Sequence, residues 1–266
     1  MATSSLNLTR RIEAGHVEYW RVACGALPGA QLHEDRELVQ LITGRTEAPW
    51  LNGVLFARFE EGDLGGRVDA AMAPFRKQGL PMLWSVGETS APDKLGRALR
   101  SHGLAPLEPL AAMALELERF ELPETPDELT IEPVRDEPGL ERWAAAYIDG
   151  FEMPDPAGGV IRDIYRRLGF GDDAPFRHFV GSIDGHPVAS GTLFLAEGAA
   201  DVWHISTAPA YRGRGVGAAM TAATMQAARN LGYRYGAIVA TAMGAGVYRR
   251  LGFEQHGELT QYVWSP

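Results

Sequence analysis

The sequence predicts an α/β or α+β fold arranged as two related halves, on three observations. Short apolar runs with strand character alternate with longer runs of helical periodicity through most of the chain. A stretch rich in proline and acid, "ERFELPETPDELTIEPVRDEPG" (118–139), interrupts that alternation near the middle and reads as a connector. On either side of it the same order recurs: helix, strand, short helix closing on glycine, strand.

In the first half these elements are "GRVDAAMAPFRKQG", "LPMLWSV", "LGRALRSHGL" and "AAMALELE". In the second they are "VGAAMTAATMQAARNLG", "YGAIVA", "GVYRRLGF" and "ELTQYVW". Earlier elements of the second half are also legible. "LTIEPV" is a first strand, and "LERWAAAYIDGF" is an amphipathic helix with Leu140, Trp143, Ala144, Tyr147 and Phe151 at helical spacing. "IRDIYRRLGF" is a second helix. Three strands follow up to "VWHIST", with turns at Asp184-Gly185 and Glu197-Gly198. The expected domains are 1–121 and 129–266, joined by 122–128.

A chain of 266 residues can bury sizeable cores, and its 45% hydrophobic and 22% charged residues are globular values. A net charge of −9 argues against a nucleic-acid partner. The single cysteine, Cys24, forms no intrachain disulfide and suits a reducing compartment. Its expected role is that of a small buried hydrophobe. The first twenty residues contain no apolar signal region, and no run approaches the roughly 18 apolar residues of a membrane span. A cytoplasmic protein without a membrane partner is expected.

The run "YRGRGVGAAM" (211–220) matches several phosphate-binding patterns. A Walker-type loop needs Gly-Lys-Ser/Thr, but Gly217 is followed by Ala218-Ala219. The dinucleotide pattern is met by Gly213, Gly215 and Ala218, yet it requires an acid about 20 residues on. No Asp or Glu occurs from Val202 through Phe253, and Pro209 ends the preceding strand well before the glycines. A glycine loop without a ligand is the third reading. Against it, the acid-free stretch holds Arg212, Arg214, Arg229, Arg234, Arg249 and Arg250, a bias that suits a polyanion. In the fourth reading Arg212-x-x-Gly215-x-Gly217 opens a helix, and successive amides surround a pyrophosphate.

"ISTAPAYRGRGVGAAM", followed by "ATAMGAGVYRRLGF", resembles the GNAT superfamily of acyl-CoA-dependent N-acyltransferases, over most of Leu129 to Trp264. The resemblance implies two GNAT-like domains, each a mixed, mostly antiparallel sheet flanked by helices. It implies that "VWHIST" bulges and splays from "AIVAT", admitting the acyl-pantetheine arm beside Ile205, Ser206 and Thr207. An amide near Ile205 or Ser206 would polarise the thioester carbonyl. The pyrophosphate would lie on Arg212, Gly213, Arg214, Gly215, Val216, Gly217 and Ala218. Thr241 stands where many members carry an arm-contacting asparagine, a departure that puts this contact in doubt. Tyr248 falls on the tyrosine that protonates the departing thiolate. The base stays open between His204, Glu152, Asp155 and water, and Glu152 or Asp155 could instead bind a cationic acceptor.

The activity so implied is transfer of an acetyl or other short acyl group from acyl-CoA to a primary amine. The acceptor is a small molecule or peptide, attack is direct within a ternary complex, no metal takes part, and a homodimer is left open. A sensor that binds acyl-CoA without turnover is the alternative. The first half is expected to be a degenerate copy. Leu99 stands where Tyr248 does, and "EEGDLGGRVDA" lacks R-x-x-G-x-G. Trp84 is expected in the core, and His33-Glu34-Asp35 on a surface turn rather than at a metal site.

Overall fold

A computed structural model describes residues 2–60, 62–153 and 155–266. It divides into two compact units, Met1–Ala112 with Gln255–Pro266, and Met113–Glu254. The first contains α1 (Ala2–Gly25), β1 (Gln31–Glu34), β2 (Val39–Ile42), β3 (Gly53–Leu55), α2 (Leu64–Gln78), β4 (Met82–Val86), α3 (Pro92–Ser101) and β5 (Ala105–Pro106). The chain passes through β6 (Leu110–Glu116) into the second unit. That unit holds β7 (Leu129–Pro133), α4 (Glu137–Gly150), α5 (Asp155–Leu168), β8 (Phe176–Ile183), β9 (His186–Leu195), β10 (Ala200–Thr207), α6 (Val216–Asn230), β11 (Tyr235–Ala240) and α7 (Ala242–Arg250). The last strand, β12 (Glu254–Trp264), rejoins the first unit.

The fold class is the expected one, a mixed and mostly antiparallel arrangement of strands flanked by helices. In the first unit β1–β2, β2–β3, β4–β12 and β5–β12 pair antiparallel, while β3 and β4 are parallel. In the second, β7–β8, β8–β9 and β9–β10 are antiparallel, β10 and β11 are parallel, and β6 borders β11. Each parallel pair is bridged by a helix, α2 in one unit and α6 in the other, as a parallel crossover requires. The strand partners differ from expectation at the end of the chain. β12 packs Leu259 and Tyr262 into buried positions and pairs with β4 and β5 rather than closing the second half.

Local chemistry explains the elements that carry the site. The Asp136 side chain accepts from Gly139 N at 2.8 Å and caps α4, which buries Leu140, Trp143, Ala144 and Tyr147. Phe151, expected on that stripe, is the C-cap residue and remains exposed because the chain leaves the helix there. The hairpin β8–β9 turns at Asp184 (φ 50°) and Gly185 (φ 77°), both left-handed as a tight two-residue turn demands. One face of the second unit's strands packs Leu129, Ile183, Val188, Val216 and Met220. Trp143, Tyr147, Tyr165, Phe176 and Phe194 form a buried aromatic group. In the first unit Trp84 lies in the core with Val54, Met72, Phe75, Met82 and Leu99.

Candidate functional site

The site is organised by an irregularity in β10. Its antiparallel register with β9 shifts between Trp203↔Thr192 and Ser206↔Ser190, inserting an extra residue. His204 within that bulge has φ 52°, a left-handed value unusual for a side chain of its kind. The parallel ladder with β11 covers Ala200–Val202 against Gly236–Ile238 and stops where the bulge begins. Beyond it β10 continues to Thr207 and β11 to Ala240, so the two strands diverge over Ile205, Ser206 and Thr207.

Buried hydroxyls hold the bulge. Ser190 Oγ donates to the His204 carbonyl at 2.7 Å and lies 2.8 Å from Ser206 Oγ. Ser206 Oγ donates to the Ala146 carbonyl of α4 at 3.0 Å. The Ser206 side chain is therefore committed to the scaffold, and only its backbone is available to a ligand. α4 approaches so closely that a Cβ on Gly150 would lie 2.5 Å from Ser206 Oγ and 3.0 Å from Thr207 N.

The phosphate-type loop follows directly. A single turn at Pro209–Tyr211 leads to Gly213 (φ 77°) and Gly215 (φ 81°), and Gly215 is the N-cap of α6. No side chain caps this helix and no acid stands in its first turn. The first intrahelical bond is Ala219 N to Gly215 O, at 3.0 Å. The amides of Val216, Gly217 and Ala218 thus form an uncapped helix N-terminus, which favours an anion. A Cβ at Gly213 would meet nothing within 4 Å, so the loop has room for one. Residue types and space fit a pyrophosphate. Arg212 is spread over several acceptors: its Nε donates to Thr207 O at 3.2 Å, and its Nη2 donates to Gly150 O at 2.8 Å and Glu152 Oε2 at 3.2 Å. Arg214 pairs with Glu128 at 2.7 Å and lies over the Tyr211 ring.

Tyr248 is buried on α7, its ring against Gly244, where a Cβ would sit 2.9 Å from Cε2. Its hydroxyl has no hydrogen-bond partner among the described residues, and burial pushes its pKa up to about 12. Thr241 is the N-cap of the same helix, its Oγ1 accepting from Gly244 N at 3.3 Å. Its hydroxyl therefore serves α7 first.

The candidate bases differ in environment. His204 is partly exposed, with Tyr165 Oη 2.9 Å from its Nδ1 and the Tyr147 ring centroid 4.8 Å away. Desolvation lowers its pKa to about 3 and keeps it neutral. Glu152 is exposed, with φ 51°, and is ion-paired with Arg212. Asp155 begins α5, and its side chain lies outside the described residues. Sequence reasoning missed Tyr165. It sits on the buried stripe of α5 with Ile161 and Ile164, a pattern that signals packing and hides its polar task.

In the first unit carboxylates stand at the start of α2 and beside the end of the β3–β4 ladder. Asp63 caps α2 by accepting from Gly66 N at 2.9 Å. The β3–β4 ladder ends at Leu55↔Ser85, followed by left-handed Phe56 (φ 47°). Beyond it the buried Glu13 accepts from Thr89 N at 3.2 Å and crowds Gly87, where a Cβ would lie 2.3 Å from its Oε1. Leu99 is fully buried, and Cys24 is buried with its pKa raised to about 11 by desolvation. His33 is exposed, 3.4 Å from Asp35. Among the described residues no group of three His, Cys, Asp or Glu side chains could hold a metal ion, and no helix is long and apolar enough to cross a membrane.

A family model described as an acetyltransferase (GNAT) domain matches residues 174–255, which span β8 to the end of α7 and so enclose the bulge, the loop and Tyr248. No curated protein matches the chain. Among solved structures, a GCN5-related N-acetyltransferase from Kribbella flavida is similar at 20% identity and a TM-score of 0.74, covering 97% of this chain and 95% of that one. A functionally unknown conserved protein from Staphylococcus epidermidis gives 15% identity and 0.70, covering 90% of this chain and 95% of the other. A tandem GNAT protein from the clavulanic acid biosynthesis pathway gives 13% and 0.62, covering 90% and 84%. At these identities the likeness concerns the fold, while the family model reaches the residues of the site. Residues 174–255 thus match the GNAT acetyltransferase domain, and the chain shares the fold of the solved structures it resembles.

Proposed function

We propose that the second unit transfers an acetyl or other short acyl group from acyl-CoA to a primary amine by direct attack within a ternary complex. The observation that carries this reading is the end of the β10–β11 ladder at the His204 bulge, directly before an uncapped helix N-terminus. The diverging strands leave backbone groups of Ile205, Ser206 and Thr207 for an amide-bearing pantetheine arm. The Arg212–Ala218 segment takes the pyrophosphate.

Holding thioester and amine in register supplies much of the acceleration, on the order of 7–11 kcal/mol in favourable cases. A backbone amide at Ile205 or Ser206 donates to the carbonyl oxygen as charge develops on it. The neutral amine forms the new N–C bond, and the C–S bond breaks. The Tyr248 hydroxyl gives its proton to the departing thiolate. The amine's surplus proton passes to solvent or to His204. His204 starts neutral, as an acceptor must, but its desolvation weakens it as a base and favours water. Thr241 contributes through its cap of α7, which orients Tyr248.

In this reading the chain is a tandem protein with a degenerate first copy, since Glu13 and Asp63 fill the openings that the second unit leaves free. It works in the cytoplasm on small-molecule or peptide amines. Calorimetric titration with acetyl-CoA tests the proposal: one site per chain is expected. No binding, or two equivalent sites, would contradict it. Binding without CoA release across a broad panel of amines would favour a sensor.

A further inference from the structure

Arg212 is held by three acceptors, and one of them is unlike the others. The Thr207 and Gly150 carbonyls are fixed parts of β10 and α4, whereas Glu152 Oε2 belongs to an exposed side chain just past the end of α4. Glu152 occupies a left-handed position at a helix C-terminus, with its N–H bonded to Asp149 O and the Met153 N–H to Ile148 O. Glycine is the favoured residue there, because a Cβ is a steric cost. A glutamate in that place gives up backbone stability and gains a carboxylate beside Arg212.

We propose that Arg212 is shared between Glu152 and the bound pyrophosphate, so that acyl-CoA binding releases Glu152 to take up the ammonium group of a cationic amine acceptor. This rests on the acyl-CoA reading of the second unit and deepens it by naming the acceptor's charge class.

The energetics favour such an exchange. An exposed carboxylate–guanidinium pair is weak, so little opposes its rupture. A pyrophosphate carries more than one negative charge, offers paired oxygens to the guanidinium fork, and would sit on helix amides that already favour an anion. Arg212 lies next to Gly213 at the mouth of that loop and need not travel far. Glu152 then loses its neutralising partner, and a cationic amine would replace it. No covalent step is involved, and binding of the two ligands becomes mutually favourable.

The test is titration of CoA, followed by n-butylammonium, into wild-type protein and into the Glu152→Gln and Glu152→Gly variants. Glu152→Gly suits the backbone conformation, which separates loss of the carboxylate from misfolding. Both variants are expected to bind CoA about two- to five-fold more tightly than wild type at low salt, with the difference vanishing near 1 M salt. In wild type, saturating CoA is expected to strengthen n-butylammonium binding, and in both variants that coupling is lost. CoA affinity that is unchanged or weaker in the variants, or ammonium binding indifferent to CoA in wild type, would overturn the exchange while leaving the acyl-CoA site standing. Absence of CoA binding in all three proteins would overturn both.

Discussion

Tyr165 Oη lies 2.9 Å from His204 Nδ1, tying the last turn of α5 to the bulge of β10. The same imidazole sits against the Tyr147 ring, so both helices that precede the strands define its position. Tyr165→Phe keeps the ring and removes the hydroxyl. It is expected to cost about 1 kcal/mol of stability in urea denaturation, the usual value of one such bond. A loss near zero would mean that the contact does not hold the bulge.

Gly150 brings α4 against that bulge. In Gly150→Ala the new Cβ would lie 2.5 Å from Ser206 Oγ and 3.0 Å from Thr207 N, with no room to turn aside. Overpacking of this kind costs about 1–3 kcal/mol. Because the displaced atoms flank the groove proposed for the pantetheine arm, acetyl-CoA affinity should fall together with stability. Calorimetry and thermal denaturation on the same variant check the pairing of the two effects.

Three histidines make stability depend on acidity. Desolvation lowers His16 from 6.5 to about 4, and His178 and His204 from 6.5 to about 3. Each therefore binds a proton more readily in the unfolded chain. Their contribution to stability is complete above pH 6.5 and is lost as the pH falls from there through the folded values, about 4 for His16 and about 3 for the other two. The midpoint of thermal unfolding should decline steadily between neutral pH and about pH 4. His178→Gln should flatten that decline, whatever its effect at neutral pH.

Tyr248 bears on the opposite limb. Burial raises its pKa to about 12, so the hydroxyl stays protonated through neutral and mildly alkaline solution. An acid that must be protonated is lost only as the pH rises through that value. The kcat profile should show no descending limb below about pH 11 attributable to this group.

The sequence carried much of the fold where local rules decide. Asp184-Gly185 specified a two-residue turn, the stripe of Leu140, Trp143, Ala144 and Tyr147 specified α4, and glycines with left-handed φ marked the start of α6. The loop before α6 was legible because its left-handed backbone positions, Gly213 and Gly215, favour glycine. Partner choice among distant strands was not legible. "ELTQYVW" alternates equally well beside β4 or elsewhere, and pairing between residues far apart in sequence leaves no local trace. The same distance hid the bonds from Tyr165 to His204 and from Arg212 to Glu152, which join elements far apart in sequence. The Ser206 and Thr241 hydroxyls serve α4 and α7, a division of labour that only packing reveals.

The central claim is that Tyr248 delivers a proton to a thiolate leaving from acyl-CoA held between β10 and β11. Thiol release from acetyl-CoA, measured with an amine that wild type acylates, tests it most directly when Tyr248→Phe is run alongside. The variant is expected to bind acetyl-CoA as wild type does and to lose about 10²-fold or more in kcat. A Tyr248→Phe protein that binds acetyl-CoA and turns over at the wild-type rate would contradict the claim.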